Sequence, residues 1–200
     1  MTKQKVLQHL LWFRTWPAAL LYLKSEKRPV IDKDLARYLP EIPYEKVGVG
    51  ALDYTLLFVK PFRNILYYRT ENSSFLRPFA RLFLPPLPAI EIHGKIGEGF
   101  AVYHNASVIH PHTAGRNFTV NFGVVIGKGK PGSAGPEILD PVIGDDVTVY
   151  PNASIFGGIT IGNRVQIGAG AVVNKDVPDD CTVVGNPMRI LPHHQTGAKA

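Results

Sequence analysis

Four histidines stand close together in the middle of the chain, and their side chains could take part in proton transfer. They are His93, His104, His110 and His112. An imidazole titrates near neutral pH and can remove a proton from a hydroxyl as a general base, which typically contributes about 10² to 10⁴ in rate. Histidines are also zinc ligands, but no spacing here provides three suitably placed ligands, so we predict no metal. The residues alone leave ordinary surface histidines as the alternative.

The segments that carry these histidines repeat every six residues. A period of six fits neither an α-helix nor a single strand, but it fits a coil of three short strands with about 18 residues per turn. The repeated aliphatic positions are Ile90, Ile96, Val102, Val108, Ala114, Val120, Ile126, Ile143, Val149, Ile155, Ile161, Ile167 and Val173. The pattern predicts a parallel β-helix, and the alternative is a β-sandwich with glycine-rich turns.

Glycine, asparagine and aspartate follow several of these aliphatic residues, as in residues 143–146 and 161–164. These residue types adopt positive φ at tight corners more readily than others do. We therefore expect the corners of the coil in these segments and in 96–99 and 167–170.

One segment, 127–141, interrupts the period. Ile126 and Ile143 are 17 residues apart, which is not a multiple of six. The interruption predicts a loop that protrudes from the coil. Its glycines and two lysines suit phosphate binding, although their spacing matches no P-loop, and a disordered surface insertion is the alternative.

Net charge divides the chain into two unequal parts. The protein carries a formal charge of +6, and up to Arg81 there are 14 Lys and Arg against 7 acids, while the remainder has 8 against 9. A basic N-terminal region forms either a solvated surface or a surface for anionic lipid or a phosphorylated carrier, and no nucleic-acid motif is present. The single cysteine, Cys181, and the absence of a signal-peptide pattern or of a long apolar run predict a cytoplasmic protein.

The N-terminal region reads as a helical domain. Helices are predicted over 1–25 with a kink or a restart at Pro17, over 32–39 with Asp32 as its cap, and over 51–68 with a kink at Pro61. A fourth helix is predicted from Ser73 or Ser74 to Phe83, and the prolines at 85–88 end it. The predicted domains are therefore 1–88, helical, and 89–191, solenoid, followed by a flexible tail, 192–200.

The first predicted helix is unusually apolar. It contains Trp12 and Trp16, followed by the apolar run 20–23. Such a face must be covered, either by the rest of the helical domain or another subunit, or by a membrane surface. Both alternatives stay open on the sequence.

The hexads and the ending of the repeat, 177–190, resemble the left-handed β-helix of hexapeptide-repeat acyltransferases, most closely the serine acetyltransferases. The resemblance covers about residues 89–191. It implies a left-handed coil, acetyl-CoA as co-substrate, transfer of acetyl to a hydroxyl acceptor, and a homotrimer. Against this family's motif, His104 falls on the catalytic base and Glu91 on the carboxylate that orients it.

The same resemblance implies a groove for coenzyme A, lined by small residues because larger side chains would block the pantetheine arm. The implied residues are Gly127, Gly129, Ala153, Gly157, Ala169 and Gly170, with Lys175 for the phosphates.

Two departures from the family pattern concern the acceptor. The family has Arg-His before the proline where this chain has Leu139 and Asp140, and it has Asp where this chain has Tyr103. A zwitterionic serine needs a cation for its carboxylate, and Leu139 removes it. We therefore expect a sugar of a surface polysaccharide or its precursor, with Tyr103 and Asp140 in contact with it. The alternatives are a serine O-acetyltransferase of cysteine biosynthesis and a non-catalytic β-helical scaffold.

Overall fold

The computed structural model describes residues 3–72 and 75–193, and the chain divides into two compact units. The first unit comprises Met1–Ile92 with Glu98–Ala106, and the second comprises His93–Gly97 with Ser107–Ala200. From position 194 onward the predicted tail lies outside the described residues, as do Ser73 and Ser74, where the fourth helix was predicted to begin.

The first unit is mainly helical. Its helices are α1 (Lys3–Leu10), α2 (Trp12–Leu23), α3 (Arg28–Ala36), a 3₁₀ helix (Leu39–Glu41), α4 (Val49–Phe58), α5 (Phe62–Arg69) and α6 (Leu76–Phe83). The fully buried residues Leu21, Ile31, Leu52 and Phe62 come from four of these helices and form part of one core. None of the described helices combines the length and the apolar character that a membrane crossing requires.

Three details of the helical prediction are wrong. The helix does not restart at Pro17: it is interrupted at Leu11, and α2 continues through Pro17, because its neighbours Ala18 and Leu21 are buried in the core. Asp32 does not cap α3, which begins at Arg28 with a proline in its first turn, a position that suits the fixed φ of proline. Pro61 separates α4 from α5 instead of kinking one helix, since a proline disfavours helical backbone in the residue before it.

The strands are short. They are β1 (Ile90–Ile92), β2 (Lys95–Ile96), β3 (Ala101–Val102), β4 (Ser107–Ile109), β5 (Thr113–Ala114), β6 (Thr119–Val120), β7 (Val125–Gly127), β8 (Val142–Ile143), β9 (Thr148–Val149), β10 (Ser154–Phe156), β11 (Thr160–Ile161), β12 (Gln166–Ile167), β13 (Val172–Val173), β14 (Cys181–Val184) and β15 (Arg189–Pro192). β1 and β3 belong to the first unit and the others to the second.

The second unit is a solenoid with three faces. Its strand orders are β4-β7-β10-β13, β2-β5-β8-β11 and β6-β9-β12-β14-β15, and all of these pairs are parallel except β14 with β15. Ile155 pairs with Val173, 18 residues further on, as a coil of three hexads requires. The predicted left-handed parallel β-helix, preceded in the chain by a helical region, is confirmed.

The repeated aliphatic residues point inward with one exception. Twelve of the thirteen are buried, whereas Val108 is half-buried and its neighbour Ile109 is fully buried instead. Ile109 pairs with Ile126, so the phase of the repeat slips by one residue before β4 and returns at Ala114. The prediction for Val108 is therefore wrong, because the turn before β4 contains one residue more than a regular hexad.

The corners of the coil use the left-handed backbone region. Asp146, Arg164 and Gly170, each the fourth residue of a predicted corner, have φ of 57°, 55° and 67°. The second residue of the corner is glycine for a different reason. A Cβ on Gly144 would lie 2.8 Å from the carbonyl carbon of Gly162, so neighbouring coils approach too closely for any side chain.

The interrupting segment adds residues to one coil without disturbing the register. Ile126 pairs with Ile155, 29 residues further on, so this coil is 11 residues longer than an 18-residue turn. The loop is attached to the neighbouring coil, because the backbone NH of Ala134 donates to Gly158 at 2.9 Å and the Ser133 hydroxyl donates to Asp176 at 2.6 Å.

Candidate active site

His104 occupies a strained corner of the first unit. It lies two residues beyond the end of β3, its side chain is exposed, and its φ is 73°. Positive φ is uncommon for residues other than glycine, although histidine adopts it more often than most, and such positions persist where the surrounding structure imposes them. The corner presents the imidazole to solvent, where a substrate could reach it.

The two other first-unit candidates have different environments. Glu91 is the middle residue of β1, and its side chain points outward between buried Ile90 and half-buried Ile92. Tyr103 is half-buried: its ring centroid lies 5.4 Å from that of Tyr38, and its hydroxyl donates a long bond of 3.5 Å to the carbonyl of Arg37. Burial raises the pKa of Tyr103. Tyr103 therefore has a packing role, which sequence reasoning did not assign to it.

The strand that leads to His104 is held by buried polar groups of α3 and the residues after it. The hydroxyl of Tyr38 donates to the carbonyl of Val102 at 3.0 Å and accepts from its NH at 2.8 Å. Asp34 accepts a hydrogen bond from the NH of Phe100 at 2.8 Å and forms an ion pair with Arg69, also at 2.8 Å. Sequence reasoning missed these residues, because a lone aspartate and a tyrosine in a helical segment give no signal of their burial.

The other three histidines lie together in the second unit. They line a cavity of about 350 Å³ with Gly94, Pro111, Lys128 and Asp140. The rings of His93 and His110 meet edge to face with centroids 4.4 Å apart. The NH of His112 donates to the carbonyl of Pro141 at 2.8 Å, which places His112 next to the end of the loop. Within residues 3–72 and 75–193, no group of three or more His, Cys, Asp or Glu is arranged to hold a metal ion.

Asp140 gives this cavity an unsatisfied carboxylate oxygen. Its Oδ1 is buried and has no hydrogen-bond partner among the described residues. A buried polar atom without a partner costs stability and calls for an explanation, such as a ligand or a water. The adjacent Leu139 is 37% exposed and carries no charge, so the two residues together offer a hydrogen-bond acceptor and an apolar surface.

Two of the residues predicted for the coenzyme groove line a second cavity in the same unit. Gly129 and Gly157 belong to its wall, and its volume is about 440 Å³. The remaining lining residues are Lys130, Pro131, Gly132, Phe156, Ile159 and Asn174. A Cβ on Gly129 would lie 2.7 Å from the backbone nitrogen of Gly157, whose own φ is 102°. At Gly129 and Gly157 the wall of this cavity is thus formed by two close backbone segments.

The other predicted coenzyme residues do not line this cavity. Ala153 is fully buried and its methyl group faces the solenoid core, whereas Gly127 ends β7, where a Cβ would meet no atom within 4 Å. The exposed ones are Ala169, Gly170 and Lys175.

Known proteins share both the repeat and the architecture. The family model described as bacterial transferase hexapeptide (six repeats) matches residues 140–175. The solved serine acetyltransferase of Neisseria gonorrhoeae is 27% identical with a TM-score of 0.59, over 85% of this chain and 66% of that one. The soybean serine acetyltransferase apoenzyme is 29% identical with a TM-score of 0.62, over 82% of this chain and 68% of that one.

A structure of the Neisseria enzyme in complex with serine is also similar, at 29% identity and a TM-score of 0.62 over 81% of this chain and 68% of that one. The chain thus spans about two thirds of the length of these relatives. No curated protein sequence matches it. The repeat and the fold together confirm the predicted similarity to the hexapeptide-repeat acyltransferases and, among them, to the serine acetyltransferases.

Proposed function

We propose that the protein is an acetyl-CoA-dependent O-acetyltransferase whose acceptor is a sugar hydroxyl of a surface polysaccharide or its precursor. The observation that carries this proposal is the exposed imidazole of His104 at a left-handed corner, in a chain whose structural relatives are serine acetyltransferases. An imidazole held in one place and open to solvent has the access that a general base needs, and imidazole is the side chain that most often performs this role.

The proposed reaction is a direct transfer. His104 removes the proton of the acceptor hydroxyl as its oxygen attacks the thioester carbonyl, and the C–O bond forms while the carbonyl becomes an oxyanion. When the oxyanion collapses, the C–S bond breaks and the leaving thiolate takes the proton from the imidazolium. In this proposal Glu91 orients the imidazole and stabilises its charged form, as an adjacent carboxylate does in catalytic triads.

Asp140 and its neighbours support a sugar as the acceptor. Asp140 provides an oxygen without a partner among the described residues, and carboxylates readily accept hydrogen bonds from hydroxyls. Lys128 and the histidines around the same cavity add donors, so the lining suits a ligand with several hydroxyls. We also propose that Tyr103 contacts the acceptor. Leu139 stands where the serine acetyltransferase motif has an arginine, so this position provides no guanidinium to bind the carboxylate of serine.

The second cavity supports the coenzyme assignment. Gly129 and Gly157 contribute no side chains to its wall, which leaves room for a narrow pantetheine arm, and Lys130 belongs to its lining. We propose Gly127, Ala153, Ala169 and Gly170 for the rest of the coenzyme path, and Lys175 for the phosphates.

The experiment that tests the reaction is thiol release from acetyl-CoA, measured with a panel of hexoses and with L-serine. We expect turnover with a sugar and a loss of about 10² to 10⁴ in kcat in His104→Ala. His193→Ala, which changes another exposed histidine, is the matched control and should keep full activity.

Serine turnover that requires His104 would favour the alternative, a serine O-acetyltransferase. Turnover that survives His104→Ala would exclude His104 as the base. If coenzyme A fails to bind in calorimetry, the non-catalytic scaffold becomes the better interpretation.

We also propose a homotrimer, which the relationship to the serine acetyltransferases implies. Sedimentation equilibrium should then give about three times the chain mass of 22.0 kDa. A single species at the chain mass would contradict this proposal.

A further inference from the structure

Three helices of the first unit expose a set of large apolar side chains, which we call the exposed apolar face. Both tryptophans of the chain are among them, with 63% of Trp12 and 47% of Trp16 exposed. The full set is Val6, Leu7, Leu10, Trp12, Phe13, Trp16, Leu23, Phe75, Phe79 and Leu82. Single exposed apolar residues need no explanation, but a set of this kind marks an interaction surface.

The spacing places these residues on one side of each helix. In α2 the exposed residues Trp12, Trp16 and Leu23 are separated by four and seven residues. Phe75, Phe79 and Leu82, in α6 and directly before it, are separated by four and three, so each set follows one helical face.

The opposite sides of the same helices are tightly packed. Ala18 of α2 and Ala80 of α6 are fully buried. The guanidinium of Arg14 donates to the carbonyl of Phe83 at 3.1 Å and so links α2 to the end of α6. Since both helices are fixed to the unit by their inner sides, the outer apolar side chains are presented by a firm support.

The charge of these helices has one sign. Residues 3–25 and 75–88 contain basic residues and no Asp or Glu. Lys3 is spaced to lie on the exposed side of α1, and Lys24 follows Leu23 directly at the end of α2. An apolar face on segments that carry basic residues and no carboxylates of their own complements a negatively charged surface.

We propose that the exposed apolar face docks onto the surface of an anionic lipid bilayer. Tryptophan is favoured at the boundary between lipid and water, and lysines around it gain from anionic headgroups. A second copy of the chain fits less well. A two-fold contact through the same face would bring the basic side chains of these segments together, and the segments supply no carboxylate to neutralise them.

The two tryptophans allow a direct test, because all tryptophan fluorescence of the chain comes from this face. The full-length protein is mixed with vesicles of phosphatidylcholine, alone or with phosphatidylglycerol. We expect a blue shift and quenching by brominated lipid with the anionic vesicles, and a much weaker response with neutral ones. An unchanged spectrum with anionic vesicles would overturn the proposal.

Two sets of variants keep both tryptophans as probes. The double variant Phe79→Ser/Leu82→Ser should lower the partition coefficient about tenfold or more, and Lys3→Gln/Lys24→Gln should lower it about tenfold and reduce its dependence on salt. Phe122→Ser, at an exposed residue of the second unit, is the matched control and should bind like the wild type.

Circular dichroism establishes that the variants are folded. A blue shift that grows with protein concentration without lipid, and that Phe79→Ser/Leu82→Ser abolishes, would assign the face to a second copy and contradict lipid docking. Binding is measured without acetyl-CoA, so failure here leaves the proposed reaction unaffected, and failure of that reaction leaves this result unaffected.

Discussion

The helical unit and the solenoid are stabilised in different ways. Among the described residues, the buried charged side chains, Asp34, Arg63 and Arg69, all belong to the helical unit. The solenoid buries a column of aliphatic residues and keeps its charges outside, where Arg116 pairs with Asp145 and Arg164 with Asp180. In a repeating coil each turn has the same register on the turn before it, so the repeat itself specifies the strand pairing. An irregular helical core needs particular polar contacts to select one arrangement.

The largest effect should come from the buried ion pair of the helical unit. Asp34→Ala leaves the buried guanidinium of Arg69 without its carboxylate and removes the acceptor for the NH of Phe100. We expect the free energy of unfolding to fall by about 3–5 kcal/mol, measured by urea denaturation.

Lys33→Ala, one residue earlier on α3, is the matched control. It breaks the exposed pair with Glu98 and should cost less than about 1 kcal/mol. Equal costs for the two variants would remove the distinction between buried and exposed pairs in this unit.

The solenoid should respond to a cavity in its aliphatic column. Ile155 is fully buried in β10. Ile155→Ala should lower the unfolding free energy by about 2–5 kcal/mol, and Ile155→Val by about 0.5–1.5 kcal/mol. A cost near zero for the alanine variant would mean that neighbouring coils close the gap, and the column would then be less rigid than its packing indicates.

Two glycines of the loop form a matched pair. Gly129→Ala places a Cβ 2.7 Å from the backbone of Gly157 and should cost about 1–3 kcal/mol, together with weaker coenzyme A binding. Gly127→Ala meets no atom within 4 Å and should be neutral or slightly stabilising. Thermal unfolding measures the cost of both variants, and calorimetry measures coenzyme A binding by Gly129→Ala. Equal costs for the two variants would contradict the close approach at Gly129.

The smallest effect concerns the exposed charges of the solenoid. Arg164 holds the pKa of Asp180 below its usual value. The ionised carboxylate therefore stabilises the fold at pH values above its usual pKa. This stabilisation is lost as the pH falls through the lowered pKa. Arg164→Gln should move acid unfolding slightly toward higher pH, as followed by circular dichroism, while Arg189→Gln on the exposed strand β15 should not.

The solenoid could be predicted well from the sequence because the same core and corner positions recur every six residues. An aliphatic residue every sixth position can be read directly, and so can the corners at 143–146 and 161–164. The slip at Ile109 could not be read, because Val108 is equally aliphatic and only the strand register distinguishes them. Arg164 at positive φ was also outside prediction, since its conformation is imposed by its place in the coil and by no preference of arginine.

The helical unit and the sites were predicted less completely. Burial of Asp34, Tyr38 and Arg69 depends on partners that are distant in the sequence, and no local pattern announces them. The gathering of His93, His110 and His112 around Asp140 likewise follows from stacking of coils and a loop return. Residue types and a family motif indicated candidates for chemistry, but the cavities they line required the fold.

The 11 additional residues of the loop have a consequence for how this protein can change. They enter at one corner, and the strands before and after them keep the same partners as in an uninterrupted coil. The length and composition of the segment between Lys128 and Asp140 can therefore vary without a change in the strand pairing of the solenoid. We expect that replacing this segment with the corresponding segment of a serine-specific relative changes the acceptor while the melting temperature is retained. The same solenoid could then carry loops for different acceptors.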